Sequence, residues 1–259
     1  MDKNEILERL KRNPQFIEEI DDDNEEYKLF VVKNNGSNIK YIKNPSKNVQ
    51  IEAVKDTVFA IKYIENLHED VALMCVKSSW NALELIKEPS DNVIEEAVKT
   101  KGWAIQYITN PSEKLQLIAV GKDYDAIKYI KDPSEEVQIR AIDNYYAAIK
   151  YIENPTLNAK IEAVRQNGEA INYISNYDLD DVKMFISVNI NVVKYVYESI
   201  DPELVVEVLI DKFKDENIDD KYIRDFLELE VLEMNKIEFV REYGNKKTKK
   251  ALVDYKLSM

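Results

Sequence analysis

The chain has 259 residues, one third of them charged, with a formal net charge of -13. Such a field disfavours phosphate backbones, whose binding rests on Lys and Arg displacing counterions, and it suits a basic partner or simple solubility. The single cysteine, Cys75, excludes an intramolecular disulfide and a Cys-rich metal site and fits a reducing compartment. The first residues, MDKNEILERLKRN, lack a signal-peptide core, and no stretch approaches the roughly 18 apolar residues of a membrane span. A soluble cytoplasmic protein is expected.

From the N-terminus onward, the organising feature is a 22-residue period. A proline recurs at Pro45, Pro89, Pro111, Pro133 and Pro155, with Leu67 in the skipped slot. Ala53, Cys75, Ala97, Ala119, Ala141 and Ala163 form one column, and Ala60, Ala82, Ala104, Ala126, Ala148 and Ala170 form another. An isoleucine column runs from Ile20 to Ile174 until Val196 takes the slot. Nine units are predicted, the first and last degenerate. A unit this short cannot bury its apolar faces alone, so it must stack on its neighbours.

Each unit reads as two short helices. Asn or Asp before the proline predicts an N-cap with proline at N1, and an acid such as Glu113 or Glu135 faces the helix dipole. Val49, Ala53 and Val54 share a helical face. Gly36, Gly102 and Gly168 stand after this helix, where a C-terminal stop belongs. The second helix is brief and buries residues such as Ala60, Ile61 and Ile64. From about residue 198 the register is lost. Asp201, Pro202 and Glu203 restart a helix, and apolar runs through Leu209 and Ile223 to Val231 predict helices of ordinary length. Gly244 is expected to divide the last two. The expected fold is therefore all-α: an α-solenoid of about nine 22-residue two-helix repeats over 1–197, with a helical C-terminal cap over 198–259 packed on the last repeat.

The recurring string, near NPSEEVQxxAVKxNGxAIKYI, resembles the short tandem helical repeats of proteins from low-GC bacteria and their phages. It is similar in scale to leucine-rich-repeat-variant and HEAT-like solenoids. The resemblance spans about residues 22–197 and is carried by the Pro45, Ala53, Ala60 and Ile64 columns; Asp23, Leu67 and Tyr177 depart from the proline column. It implies an interaction scaffold, and it transfers no catalytic motif. By analogy, small acidic phage proteins block host enzymes.

Candidate chemistry is sparse. His68 falls in the column of Ser46, Ser90 and Ser112 and reads as an exposed variant of a capping position. Cys75 replaces an alanine and reads as packing. The run Asp21, Asp22, Asp23, Glu25 and Glu26 could hold a cation but lacks a calcium-loop pattern, and a loop before a helix explains it more simply. The tyrosine column (Tyr41, Tyr63, Tyr107 and onward) and the lysines before it read as inter-repeat packing and an interrupted basic stripe. Lys246, Lys247, Lys249 and Lys250 read as a solvated helix face.

The repeat does not demand the aromatics at the corner between its two helices, which change from unit to unit: Phe59 and Trp103, then Trp80, Tyr124 and Tyr146, with Tyr145 beside them. They are the candidate partner-binding residues, with the filling of small gaps at the corner as the alternative. The expected function is a non-catalytic protein-binding scaffold, an inhibitor or adaptor from a phage or mobile element. The alternative is an acidic nucleic-acid mimic that blocks a host nuclease or DNA-handling enzyme, an anti-defence role, through Glu69, Asp91, Glu113 and Glu135; a HEAT-like DNA-repair enzyme is less favoured. The expected partner is another protein, for which a basic surface would suit the charge. No cofactor, metal, membrane or direct nucleic-acid contact is expected, and the sequence leaves oligomeric state open.

Overall fold

The computed structural model describes residues 1–20 and 24–258. Among them every regular element is helical, and nine consecutive helix pairs, followed by the short turns Val193–Val196 and Tyr197–Ser199, precede four further α-helices, an all-α solenoid with a helical C-terminal segment. The chain divides into two compact units, Met1–Tyr129 and Ile130–Met259. No described helix is long and apolar enough to cross a membrane.

In the first unit the α-helices are α1 (Lys3–Arg12), α2 (Glu25–Asn34), α3 (Lys47–Asp56), α4 (Glu69–Ser78), α5 (Asp91–Thr100) and α6 (Glu113–Lys122). In the second they are α7 (Glu135–Asn144), α8 (Leu157–Gln166), α9 (Leu179–Val188) and the single turn α10 (Val193–Val196), then α11 (Pro202–Lys214), α12 (Asp220–Glu228), α13 (Lys236–Tyr243) and α14 (Lys246–Ser258). The brief second member of each repeat is a six-residue 3₁₀-helix, such as Val58–Tyr63 or Gly102–Tyr107. Only in the ninth pair does it shrink to Ile190–Val192 and pass into α10. The small-residue columns are fully buried, Ala53, Ala97, Ala119, Ala60 and Ala104 each at 0% exposure, so the layers approach closely.

The helix starts differ from expectation. The N-cap is not the Asn or Asp before proline but the residue after it: the hydroxyls of Ser46, Ser90, Ser112, Ser134 and Thr156 accept from the backbone three residues on. Proline thus sits ahead of the cap, where its fixed φ suits an extended approach. The predicted arrangement of acid cap and proline at N1 occurs at α11, where Asp201 accepts from Glu203 N–H at 2.9 Å.

The turns fall into two kinds. Asn44, Asn110 and Asp132 adopt φ of 46°, 54° and 49°, the left-handed region that Asn and Asp enter more readily than other residues bearing a Cβ. Those same units carry Gln50, Gln116 and Gln138, whose Nε2 donates to the carbonyls of Pro45 (3.0 Å), Pro111 (2.9 Å) and Pro133 (3.0 Å). Where this column holds Ala72, Ile94 or Lys160, the matching Asn66, Glu88 and Asn154 lie outside the left-handed region. Gln50 also reaches forward. Its Nε2 donates to the Asn66 carbonyl at 2.9 Å, and its Oε1 accepts from His68 N–H at 3.0 Å. Gln138 likewise accepts from Thr156 N–H at 2.9 Å. Both amides are buried, and both are satisfied by turn backbone.

The glycine column also needs correcting as a helix stop. Gly36, Gly102 and Gly168 do not have positive φ; each opens a 3₁₀-helix after an extended C-cap residue. A Cβ on Gly36 or Gly102 would fall far inside contact distance of the Ala53 or Ala119 carbonyl oxygen of the next layer. Glycine is required there for close approach. Both N–H groups donate across the same junction, Gly36 to Asp56 Oδ2 at 2.8 Å and Gly102 to Asp123 Oδ2 at 2.7 Å.

In the second unit α11 packs on α9, and Tyr222 on α12 donates its hydroxyl to the Ile186 carbonyl at 2.9 Å. The core of this segment is a triangle of Phe213, Phe226 and Phe239 with ring centres 4.9 to 5.6 Å apart. Gly244 follows α13 as its C-cap.

Candidate functional site

Every α-helix of the repeat ends in an extended residue, and the 3₁₀-helix then starts abruptly. The first two 3₁₀ positions therefore stand at a corner. Trp80, Tyr124 and Tyr146 occupy the first, Phe59 and Trp103 the second, and Tyr145 is the extended residue before Tyr146.

In the first unit Trp80 meets Trp103 edge-on, ring centres 6.5 Å apart, and stacks on Tyr107 at 6.0 Å. The Trp103 indole N–H donates to Asp125 Oδ1 at 2.7 Å. Lys101 and Lys128 place their ammonium groups 4.6 and 4.4 Å from the Trp103 ring centre, within cation–π range. These lysines pair in turn with Asp123 at 2.6 Å and Asp125 at 3.2 Å. Burial opposes the charge on Asp125, but the Trp103 N–H and the Lys128 ammonium outweigh it and hold the carboxyl below its usual range. Trp80, Trp103 and Tyr124 are half-buried, whereas Phe59 is 61% exposed. The structure brings Trp80 and Trp103 together in one charged, aromatic cluster.

In the second unit Tyr145 and Tyr146 lie with ring centres 4.8 Å apart. Tyr146 donates to Glu169 Oε2 at 3.1 Å, and Tyr173 donates to Glu169 Oε1 at 3.3 Å. Desolvation and the Glu169 carboxylate push the Tyr146 hydroxyl pKa up, and the Glu169 charge does the same for Tyr173. Both phenols stay protonated donors at neutral pH.

Asp125 and Glu169 escaped the sequence reading, yet both carry a signal. Both stand in the Phe59/Trp103 column, which also holds Asn81 and Ala147, and in both places the acid serves a ring of the previous layer, Asp125 that of Trp103 and Glu169 that of Tyr146.

The acids of the alternative reading are exposed, each the first residue of its helix: Glu69 of α4, Asp91 of α5, Glu113 of α6 and Glu135 of α7. Glu69 accepts from the Ser90 hydroxyl at 2.7 Å. Glu135 accepts from Asn158 Nδ2 at 2.9 Å, and this bond with that of Thr156 holds its carboxyl below the usual range. Glu69 and Glu135 thus tie one helix start to the next.

His68 is exposed at the N-cap of α4 and makes no side-chain capping bond. Cys75 is buried, and desolvation pushes its thiol pKa up to about 11, the opposite of an activated nucleophile. The tyrosine and lysine columns pair: Lys40, Lys62, Lys128 and Lys150 sit 4.7 to 5.0 Å from the ring of the tyrosine that follows each. Lys247 is tied to the Ile218 carbonyl at 2.6 Å and Asp220 at 3.3 Å, while Lys246, Lys249 and Lys250 are exposed. Asp21, Asp22 and Asp23 lie outside the described residues. Among the described residues no three His, Cys, Asp or Glu side chains gather as metal ligands.

The fold defines the class, a helical-repeat solenoid of very short period. Beyond that class, neither protein families, curated proteins nor solved structures offer a match to the chain.

Proposed function

We propose that the chain is a non-catalytic protein-binding scaffold whose first unit engages a partner protein through the aromatic corner at Phe59, Trp80 and Trp103. The observation that carries this reading is the composition of that corner: an indole pair flanked by two lysines and two aspartates, with a phenylalanine 61% exposed in the same column. Half-buried tryptophans bordered by charge are the side chains that anchor protein interfaces. Tyr145 and Tyr146 offer a smaller corner of the same kind in the second unit. An inhibitor or adaptor encoded by a phage or mobile element, acting on a host protein with a basic surface, is the biological setting that suits the acidic charge.

The test is capture from host lysate with the wild type, Phe59→Ala and a Trp80/Trp103 double alanine variant. Phe59 is mostly exposed, so its removal should leave stability nearly unchanged while weakening the retained partner by about tenfold. Loss of that partner from the double variant, with retention at high salt by the wild type, supports the aromatic interface. Identical capture by all three proteins removes this surface. Capture by all three that disappears at high salt favours the acidic-mimic reading instead.

A further inference from the structure

Gln50 and Gln138 each send a carboxamide across to the turn that opens the next repeat, where Oε1 accepts from the N–H of the next N-cap residue, His68 or Thr156. For Gln50, Nε2 also donates to the carbonyl of Asn66, two residues before that cap. The turn at Glu88, Pro89 and Ser90 is of the same kind. Glu88, like Asn66 and Asn154, lies outside the left-handed region, and Ser90, like His68 and Thr156, is the N-cap of the following helix. The residue in register to serve this turn is Ala72, whose side chain ends at Cβ.

A cleft of about 480 Å³ opens there, lined by Ala72, Leu67, Glu88, Pro89, Ser90 and Val93 among others. The Ser90 hydroxyl is engaged by Glu69. Its backbone N–H and the Glu88 carbonyl have no hydrogen-bond partner among the described residues. One acceptor and one donor are thus held in the arrangement that elsewhere in this chain grips a primary amide.

We infer that this cleft is a receptor site for a primary carboxamide supplied from outside the fold, its NH₂ donating to the Glu88 carbonyl and its oxygen accepting from Ser90 N–H. A carboxylate could use only the N–H and would face the nearby Glu69 and Glu88. An ammonium could use only the carbonyl. Of the three, the amide matches both groups, as Gln50 does at the turn of Asn66 and His68. The inference is independent of the partner-binding reading of the aromatic corner.

The experiment is titration of ¹⁵N-labelled protein, followed by amide NMR, with propionamide, with N,N-dimethylpropionamide and with a short peptide bearing one glutamine. Propionamide should shift the Ser90 N–H saturably, in the millimolar range fitting for so few atoms. The dimethyl compound, lacking N–H donors, should bind about fivefold to tenfold more weakly. Ala72→Gln should abolish the shift and raise Tm by about 2–4 °C as the tethered amide fills the cleft. Gln50→Ala should create a second site that reports at His68 N–H. Response to the peptide would identify a side-chain amide as the source, and response to propionamide alone a small molecule. No shift at Ser90 with either amide, or an equal shift in Ala72→Gln, overturns the inference.

Discussion

Asp125 illustrates how one carboxylate can organise a corner, because it accepts the Trp103 N–H while pairing with Lys128, whose ammonium also lies over the same ring. Its folded pKa is depressed, so the stability it contributes is complete above the unfolded carboxyl value near 4 and disappears as pH falls through the lower folded value. Asp125→Asn should therefore cost about 1 kcal/mol at pH 7 and flatten the acid limb of the stability curve; urea unfolding at pH 7 and pH 3 measures both. An unchanged acid limb would disprove the assignment. At this scale the sequence showed the rings, because they break the repeat's columns. It hid their partners, since Asp125 lies 22 residues from Trp103 and is adjacent only after the layers stack. Gln50 was equally hidden: a glutamine on a helix reads as solvated until the turn folds over it.

The helix starts were legible in outline and misassigned by two residues. Asn, Pro and Ser all favour helix beginnings, so the string Asn44, Pro45, Ser46 offers two caps, and local rules prefer proline inside the helix. The cap falls on the residue after proline with a left-handed turn before it, as at Ser46, and without one, as at Ser90 and Thr156; in each case the hydroxyl accepts from the backbone three residues on. The corrected register singles out His68, the cap of α4 that lacks a side-chain bond. His68→Ser should install the hydroxyl used at Ser46 and Ser90 and stabilise the protein by about 0.5–1 kcal/mol. Chemical denaturation would detect the gain; a loss would show that the imidazole serves another purpose.

Across the molecule, the period of 22 residues was readable because each layer repeats the same burial problem, and the constant alanine columns record its solution. The two kinds of turn were not readable, since Asn44 and Asn66 are the same residue in the same column with different backbones. In an array each layer interacts mainly with its neighbours, so damage at separate junctions should add. Gly36→Ala and Gly102→Ala, which touch different layers of the first unit, should each cost about 1–3 kcal/mol through overpacking. The double variant should equal their sum within about 0.5 kcal/mol. A marked departure from additivity, measured by denaturation of the full chain, would mean that the junctions communicate.

The 3₁₀ form of the second helix has a geometric consequence. Ten residues of α-helix advance about 15 Å at 1.5 Å each, whereas six residues would return only about 9 Å as α-helix but reach about 12 Å at the 2.0 Å rise of a 3₁₀-helix. The tighter winding lets a short leg nearly match a longer one, so each layer closes with few residues to spare for its turns. A period of 22 thus lies close to the least chain from which a two-helix layer can be built, and converting Val58–Tyr63 to α-helix would leave the return leg too short to reach the next start in register.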